Sequence, residues 1–256
     1  MSKRRLDVAE TVADYDVRSP AARTIATVVG TVLVVAVLAV LVLGLSILKR
    51  DSRVATSQVD VGTNANLIID ATTAQIEIVE GEPDLLTITS TVTSGLRQTD
   101  YQVGRKGDEI KIVSRCQTWL NPGCGVKTQL AVPPGLPLRV KTTTGDIEVK
   151  AMSQGLLTVE TTTGNVTARD LQVDEFEATS ISGQIVANFS EQPLGFKATT
   201  DSGDVTASFA AGDRTYALSV ESESGDIQSE LSNDAEGDGF IRVRTGSGDV
   251  RLTVLS

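Results

Sequence analysis

The segments LRVKTTTGDIEV (138–149), LTVETTTGNVTA (157–168), FEATSISGQIVA (176–187), FKATTDSGDVTA (196–207), LSVESESGDIQS (218–229) and IRVRTGSGDVRL (241–252) align without a gap. Each is centred on a glycine, at 145, 164, 183, 203, 225 and 248, so the unit recurs every 19 to 23 residues. Seven before the glycine stand Leu138, Leu157, Phe176, Phe196, Leu218 and Ile241; five before it stand Val140, Val159, Ala178, Ala198, Val220 and Val243. Two after it come Ile147, Val166, Ile185, Val205, Ile227 and Val250, and four after it Val149, Ala168, Ala187, Ala207, Ser229 and Leu252. The position six before is solvated in kind: Arg139, Thr158, Glu177, Lys197, Ser219 and Arg242. Period two on both sides of the glycine means two strands per unit. The inward parity switches across the glycine, which must therefore absorb a corner that a Cβ would resist.

Like residues in like columns are what stacked coils produce, because each coil buries its face only against the next. The expected fold is all-β: a parallel β-solenoid of about seven coils, with a β-sandwich of repeated hairpins as the alternative. A degenerate first copy surrounds Ala74, with Leu67, Ile69, Ile76 and Ile78 at the same offsets. Residues 79–135 interrupt the repeat, and their alternating runs at 86–92, 110–113 and 127–132 predict a hairpin insertion. Three before each glycine, on the inward parity, stand Thr142, Thr161, Ser180, Thr200, Ser222 and Thr245. These hydroxyls read as structural, bonding a neighbouring coil or a corner backbone group.

The insertion carries the only two cysteines, Cys116 and Cys124, in the segment CQTWLNPGC. The turn Asn121-Pro122-Gly123 predicts a disulfide and an oxidising compartment; two free thiols or a redox pair are the alternatives. From Thr24 to Leu48 there is no charged residue, and at about 1.5 Å per residue this run crosses a hydrocarbon layer of about 30 Å. It reads as an uncleaved span, against the alternative of a cleaved signal. Basic residues Lys3, Arg4, Arg5, Arg18 and Arg23 before it outnumber Lys49, Arg50 and Arg53 after it, favouring a cytoplasmic N-terminus. The expected organisation is a cytoplasmic tail (1–23), a transmembrane helix (24–48), a linker (49–65) and an extracytoplasmic β-repeat domain (66–256).

Of the 256 residues none is histidine, which excludes Ser-His-Asp and Cys-His triads and His-bearing zinc sites. The net charge of −10 argues against nucleic acid. Residues 1–48 hold five of the 23 basic and four of the 33 acidic residues, so the remainder carries −11.

Immediately after the glycines stand Asp146, Asn165, Gln184, Asp204, Asp226 and Asp249. The last three would form an acidic ladder that suits calcium; the favoured reading is a structural turn column using side-chain oxygen, with no metal and no cofactor. Asp234, Glu236 and Asp238 in SNDAEGDG read as a solvated loop, lacking the glutamate at EF-hand spacing. Paired carboxylates on a β-helix can cleave polysaccharides, but no pair is singled out here, so no catalytic residue is assigned. Trp119, Tyr101 and Tyr216 read as local packing in preference to platforms for sugar rings.

The segment LAVPPGLPLRVKTTTGDIEV (130–149), the single N-terminal span and the repeated SGD-[IV] steps resemble a bacterial family of membrane-anchored β-strand-repeat proteins often labelled adhesins. The resemblance covers roughly residues 60 to 256. It implies a cell-envelope protein, in some members associated with envelope stress, and transfers no catalytic motif. The expected function is a non-enzymatic, adhesin-like surface module whose partner is another envelope protein or a surface polymer, with a small-molecule substrate not expected. The alternatives are an envelope sensor acting through a membrane partner and a polysaccharide-active enzyme.

Overall fold

A computed structural model describes residues 20–48, 51–62, 65–95, 97–117, 123–153 and 155–255. Among the described residues there is one helix, α1 (Pro20–Leu48), whose stretch Val28–Leu45 has a mean hydropathy of 3.0, long and apolar enough to cross a membrane. The tail at 1–19 and the residues Trp119, Asn121 and Pro122 lie outside the described residues.

The β domain begins with β1 (Asp51–Asp60), β2 (Asn66–Glu80), β3 (Leu85–Ser94), β4 (Asp100–Lys106), β5 (Glu109–Arg115) and β6 (Gly125–Val132). Strand pairs then follow, one per glycine: β7 (Leu138–Thr144) with β8 (Ile147–Lys150), β9 (Leu156–Thr163) with β10 (Val166–Leu171), and β11 (Glu175–Ser182) with β12 (Ile185–Phe189). The last are β13 (Gly195–Ser202) with β14 (Val205–Ala210), β15 (Tyr216–Ser224) with β16 (Ile227–Ser229), and β17 (Gly239–Ser247) with β18 (Val250–Leu255). The two strands of a unit do not pair with each other. They enter different sheets, in parallel with the like strand of the next coil, which rejects the sandwich of hairpins and gives the solenoid.

One sheet runs β4-β5-β2-β7-β9-β11-β13-β17-β15 and the other β1-β3-β6-β2-β8-β10-β12-β14-β18-β16. The long strand β2 serves both, pairing through 67–73 with β7 and through 76–79 with β8. The register follows the sequence columns: Leu138 faces Leu157, which faces Phe176, which faces Phe196. These columns form one buried core between the sheets. Where the inward columns shrink to Ala178, Ala187, Ala198 and Ala207, the rings of Phe176, Phe189, Phe196 and Phe209 fill the space. Phe189 and Phe209 stack at 5.1 Å between centroids, and Phe176 and Phe196 at 6.0 Å.

Three expectations are corrected. First, the coils at the C-terminal end do not stack in sequence order: β13 pairs with β17, and β17 with β15, so the Gly248 coil lies between the Gly203 and Gly225 coils. The reason is the inward column four after the glycine, which is Leu252 in one coil and Ser229 in the other. The coil with the apolar residue takes the covered place, where Leu252 is fully buried, and Ser229 stays exposed at the end. Second, the stretch 49–65 is not simply a linker: Asp51–Asp60 forms β1, antiparallel to β3. Third, 79–135 is not only a hairpin excursion. Strands β5 and β6 each run parallel to β2, one in each sheet, and so make a further coil whose corner is the cysteine loop.

Candidate functional site

The glycine column builds one corner ridge. A Cβ on Gly164 would collide with the carbonyl oxygen of Gly145, one on Gly183 with that of Gly164, and one on Gly203 with that of Gly183. Gly248 stands in the same relation to Gly203, and Gly225 to Gly248. The hydroxyl column points at the same oxygens: Ser180 donates to Gly164 O at 3.3 Å, Thr245 to Gly203 O at 3.1 Å and Ser222 to Gly248 O at 3.0 Å. Thr142 bonds its own strand, at Thr144 O, and buried Thr161 Oγ1 has no partner.

The next residue in each unit clamps the ridge from outside. Asp146 Oδ1 accepts the backbone N–H of Asn165 at 2.8 Å, and Asn165 Oδ1 accepts that of Gln184 at 3.0 Å. Asp204 Oδ1 accepts the N–H of Asp249, and Asp249 Oδ1 that of Asp226, each at 2.9 Å. The ladder of three aspartates therefore exists in the order 204, 249, 226. Each link is between a side-chain oxygen and a backbone amide, the geometry of an Asx turn carried across coils. Among the described residues no group of three or more Cys, Asp and Glu is arranged to hold a metal ion. In the loop after β16, Asp234 Oδ1 accepts the N–H of Glu236.

Outside the ridge, the sheet faces carry charge pairs in register. On the β8 face a shallow groove of about 280 Å³ is lined by Glu77, Lys127, Asp146, Glu148, Asn165 and Arg169, among others. Lys150 Nζ lies 3.0 Å from Glu77 Oε1 and 3.1 Å from Glu148 Oε1, and Arg169 Nη1 lies 3.2 Å from Glu148 Oε1. Hydrogen bonds from Gln129 and Lys150 hold the Glu77 carboxyl below its ordinary value. A general acid needs the opposite displacement, so this carboxyl is suited to an ion pair and unsuited to proton donation at neutral pH. On the other face Arg115 grips Asp70 through both terminal nitrogens, which lowers the Asp70 carboxyl and raises the guanidinium. Reading charges three and five positions after the glycines across adjacent copies brings Glu77, Glu148, Lys150 and Arg169 together; the apolar columns alone do not.

Cys116 and Cys124 form a disulfide, with Cα atoms 6.0 Å apart, and both are buried. Tyr101 and Tyr216 pack locally. Tyr216 closes the row of rings, 6.0 Å from Phe209, and donates to Pro193 O at 3.0 Å; burial pushes its hydroxyl up to about 12. Tyr101 bonds the Ser90 hydroxyl at 2.7 Å, and burial raises its pKa as well.

These features define a class: a β-solenoid domain preceded by one helix of membrane-spanning length. Residues 135–253 match the family Toastrack DUF4097, so the resemblance carried by the repeat holds across all six glycine-bearing coils. No curated protein matches the chain. A crystal structure of a proposed cell adhesion protein from Clostridium sporogenes is similar in fold, with a TM-score of 0.51 at 10% identity, covering 80% of this chain and 100% of that one. A proposed adhesin from Bacteroides fragilis gives 0.41 at 15% identity, covering 79% and 97%. A proposed lipid binding protein from Parabacteroides distasonis gives 0.34 at 10% identity, covering 80% and 97%.

Proposed function

We propose that the chain is a single-span membrane protein, N-terminus in the cytoplasm, whose solenoid stands outside the membrane as a non-enzymatic interaction module. Its partner is another envelope protein or a surface polymer, held along the flat strand faces. The observation that carries this reading is the registered outward chemistry of a stack sealed within. Arg139 and Lys141 share Glu160, Lys197 pairs with Glu177, and Lys150 bridges Glu77 and Glu148. Side chains held in this way present a preorganised polar surface, which binds at little cost in ordering. The apolar helix, its basic N-terminal flank and the disulfide support the topology. The Clostridium protein of similar fold, proposed as a cell adhesion protein, agrees with it.

The test places photo-crosslinking residues at Thr179 and Thr206, one on each outward face, in living cells. Protease added to spheroplasts should remove the solenoid, and discrete adducts should form at one or both positions. Protection of the solenoid would reverse the topology, and adducts at neither position would remove the face-binding reading. A second reading, a sensor acting through a membrane partner, is favoured by the correction at β1. Asp51 enters the sheet three residues after α1 ends at Leu48, so little chain separates span from solenoid. Under that reading adducts form within the span, and a flexible insertion after Leu48 abolishes signalling without lowering surface abundance.

A further inference from the structure

The two ends of the solenoid differ: antiparallel strands flank the early end, whereas the last coil at the late end carries none. At the early end, the antiparallel strands β1, β3 and β4 flank the first coils. At the late end, β15 and β16 have a strand on one side only, β17 and β18. At the start of that outer edge Asn233 and Asp234 lie against β15, Asp234 N donating to Tyr216 O at 2.9 Å and Leu218 N to Asn233 Oδ1 at 3.0 Å; beyond Leu218 no strand pairs with it among the described residues. The inward side chains there are incompletely covered. Leu218 and Val220 are only partly buried and Ile227 is 46% exposed, while their partners Ile241, Val243 and Val250 are sealed. The edge coil is also acidic. From Thr215 to Ile241 the chain has seven acidic residues and no Lys or Arg, with Glu221, Glu223, Asp226 and Glu230 on or beside the edge coil and exposed. Glu223 meets Arg244 of the neighbouring coil at 3.5 Å, and the run as a whole keeps an excess of negative charge.

We infer that this edge receives one further coil from another protein: an extended segment in which apolar residues alternate with Lys or Arg, added as a strand along β15. Its apolar side chains cover Leu218 and Val220, and its backbone pairs with the open edge of β15. Its cations lie on the outer face beside Glu221 and Glu223, where opposite charges on neighbouring strands attract. A second copy of this end is not the occupant, because edge-to-edge pairing would set two acidic coils against each other; those acids also keep the edge from self-assembly. The inference rests on the interaction-module reading and names one surface and one partner chemistry for it.

The test uses the full chain in phosphatidylcholine nanodiscs and a labelled ten-residue peptide alternating valine and lysine. The peptide should bind and slow amide exchange at Val220 and Ser222, which face the open side beyond Leu218, while a scrambled peptide of equal composition should not. N-methylation of alternate peptide amides should abolish binding in one phase and spare it in the other, because only one set of amides faces β15. The Glu221→Lys, Glu223→Lys double variant, exposed and expected to fold, should weaken binding at least about tenfold. Equal binding of the scrambled peptide, indifference to the methylation phase, or exchange protection elsewhere on the solenoid would each overturn the inference. Face adducts at Thr179 or Thr206 without peptide at β15 would reject the edge and leave the module reading standing. Peptide at β15 without face adducts would uphold the edge and reject the face-binding reading.

Discussion

The hydroxyl of Thr245 donates to the carbonyl oxygen of Gly203 at 3.1 Å, the same oxygen that a Cβ on Gly248 would strike. Corner glycine and inward hydroxyl are thus two halves of one device. The absent Cβ lets the neighbouring carbonyl come close, and the hydroxyl satisfies that carbonyl once it is buried. Gly203→Ala should therefore cost several kcal/mol, on the order of the largest single-site effects, since the obstructing atom is backbone and cannot swing aside. Gly62→Ala, with nothing within 4 Å of the added carbon, should be near neutral. Thermal melts of the two variants decide it, and similar losses would show that the corners tolerate a side chain.

The stacking order makes unequal demands on two valines in the same column. Val243 is 1% exposed inside the stack, while Val220 lies on the open end and is half-buried. Val243→Asp buries an unpaired carboxylate and should unfold the domain, at a cost of about 3 to 5 kcal/mol. Val220→Asp should cost clearly less, and Ser219→Asp, on the solvated face, almost nothing. Denaturant midpoints ranked 243, 220, 219 are expected; a Val220 effect as large as that of Val243 would mean that the coils stack in sequence order.

The inward columns and the corner were legible because a period-two pattern repeated six times leaves one way to face each residue. Stacking order was less legible, since a column says which residues meet and not which coil meets which; the one clue was Ser229 standing where the other coils have Val, Ala or Leu. Strand β1 escaped for a different reason. Its inward side chains are Ala55, Ser57 and Val59, and its Val54 is 69% exposed, so it has no apolar alternation strong enough to read. It exists because β3 offers an edge, a tertiary cause that no local pattern encodes. The carboxylate and lysine cluster around Lys150 was hidden likewise, because its members come from three coils.

The bridge between Cys116 and Cys124 closes the corner that stands where other coils have their glycine. A loop this short should contribute about 2 to 3 kcal/mol, mostly by restricting the unfolded chain. The Cys116→Ser, Cys124→Ser double variant should lose that amount and keep its circular dichroism. Thiol titration of the original protein in denaturant, without reductant, should find no free sulfhydryl.

Acid should weaken the early coils. Asp70 and Glu77 both have folded pKa values below their ordinary 3.8 and 4.5, through Arg115 in one case and through Gln129 and Lys150 in the other. The unfolded chain then binds more protons, so stability rises with pH through this range. The contribution is complete above the unfolded values and is lost as pH falls through the folded ones. Both pairs are substantially exposed, which keeps the effect small and salt-sensitive. Melting temperature followed from pH 6 to pH 2.5 should fall below about pH 4.5, and Arg115→Ala should flatten part of that slope. An unchanged slope in Arg115→Ala would show that the Asp70 pair contributes nothing.

The aspartate ladder makes the sharpest separation between a corner and a cation site. Asp204 and Asp249 each use one carboxylate oxygen to accept a backbone amide from the next coil, and Asn165 does the same without a charge. The bond therefore requires an oxygen and not a charge. Replacing Asp204, Asp226 and Asp249 together by asparagine keeps both links and removes like-charge repulsion between coils about 5 Å apart. Melting temperature should hold or rise. Millimolar calcium should leave the original protein's melting unchanged, because a ligand that binds only the folded state must raise it by mass action. A rise of several degrees with calcium that disappears in the triple variant would instead make this ridge a cation-dependent surface. Alanine in the same three places gives the complementary control. It removes the acceptor along with the charge, leaves the amides of Asp249 and Asp226 without their side-chain partner, and should cost about 1 kcal/mol per lost bond where asparagine costs none.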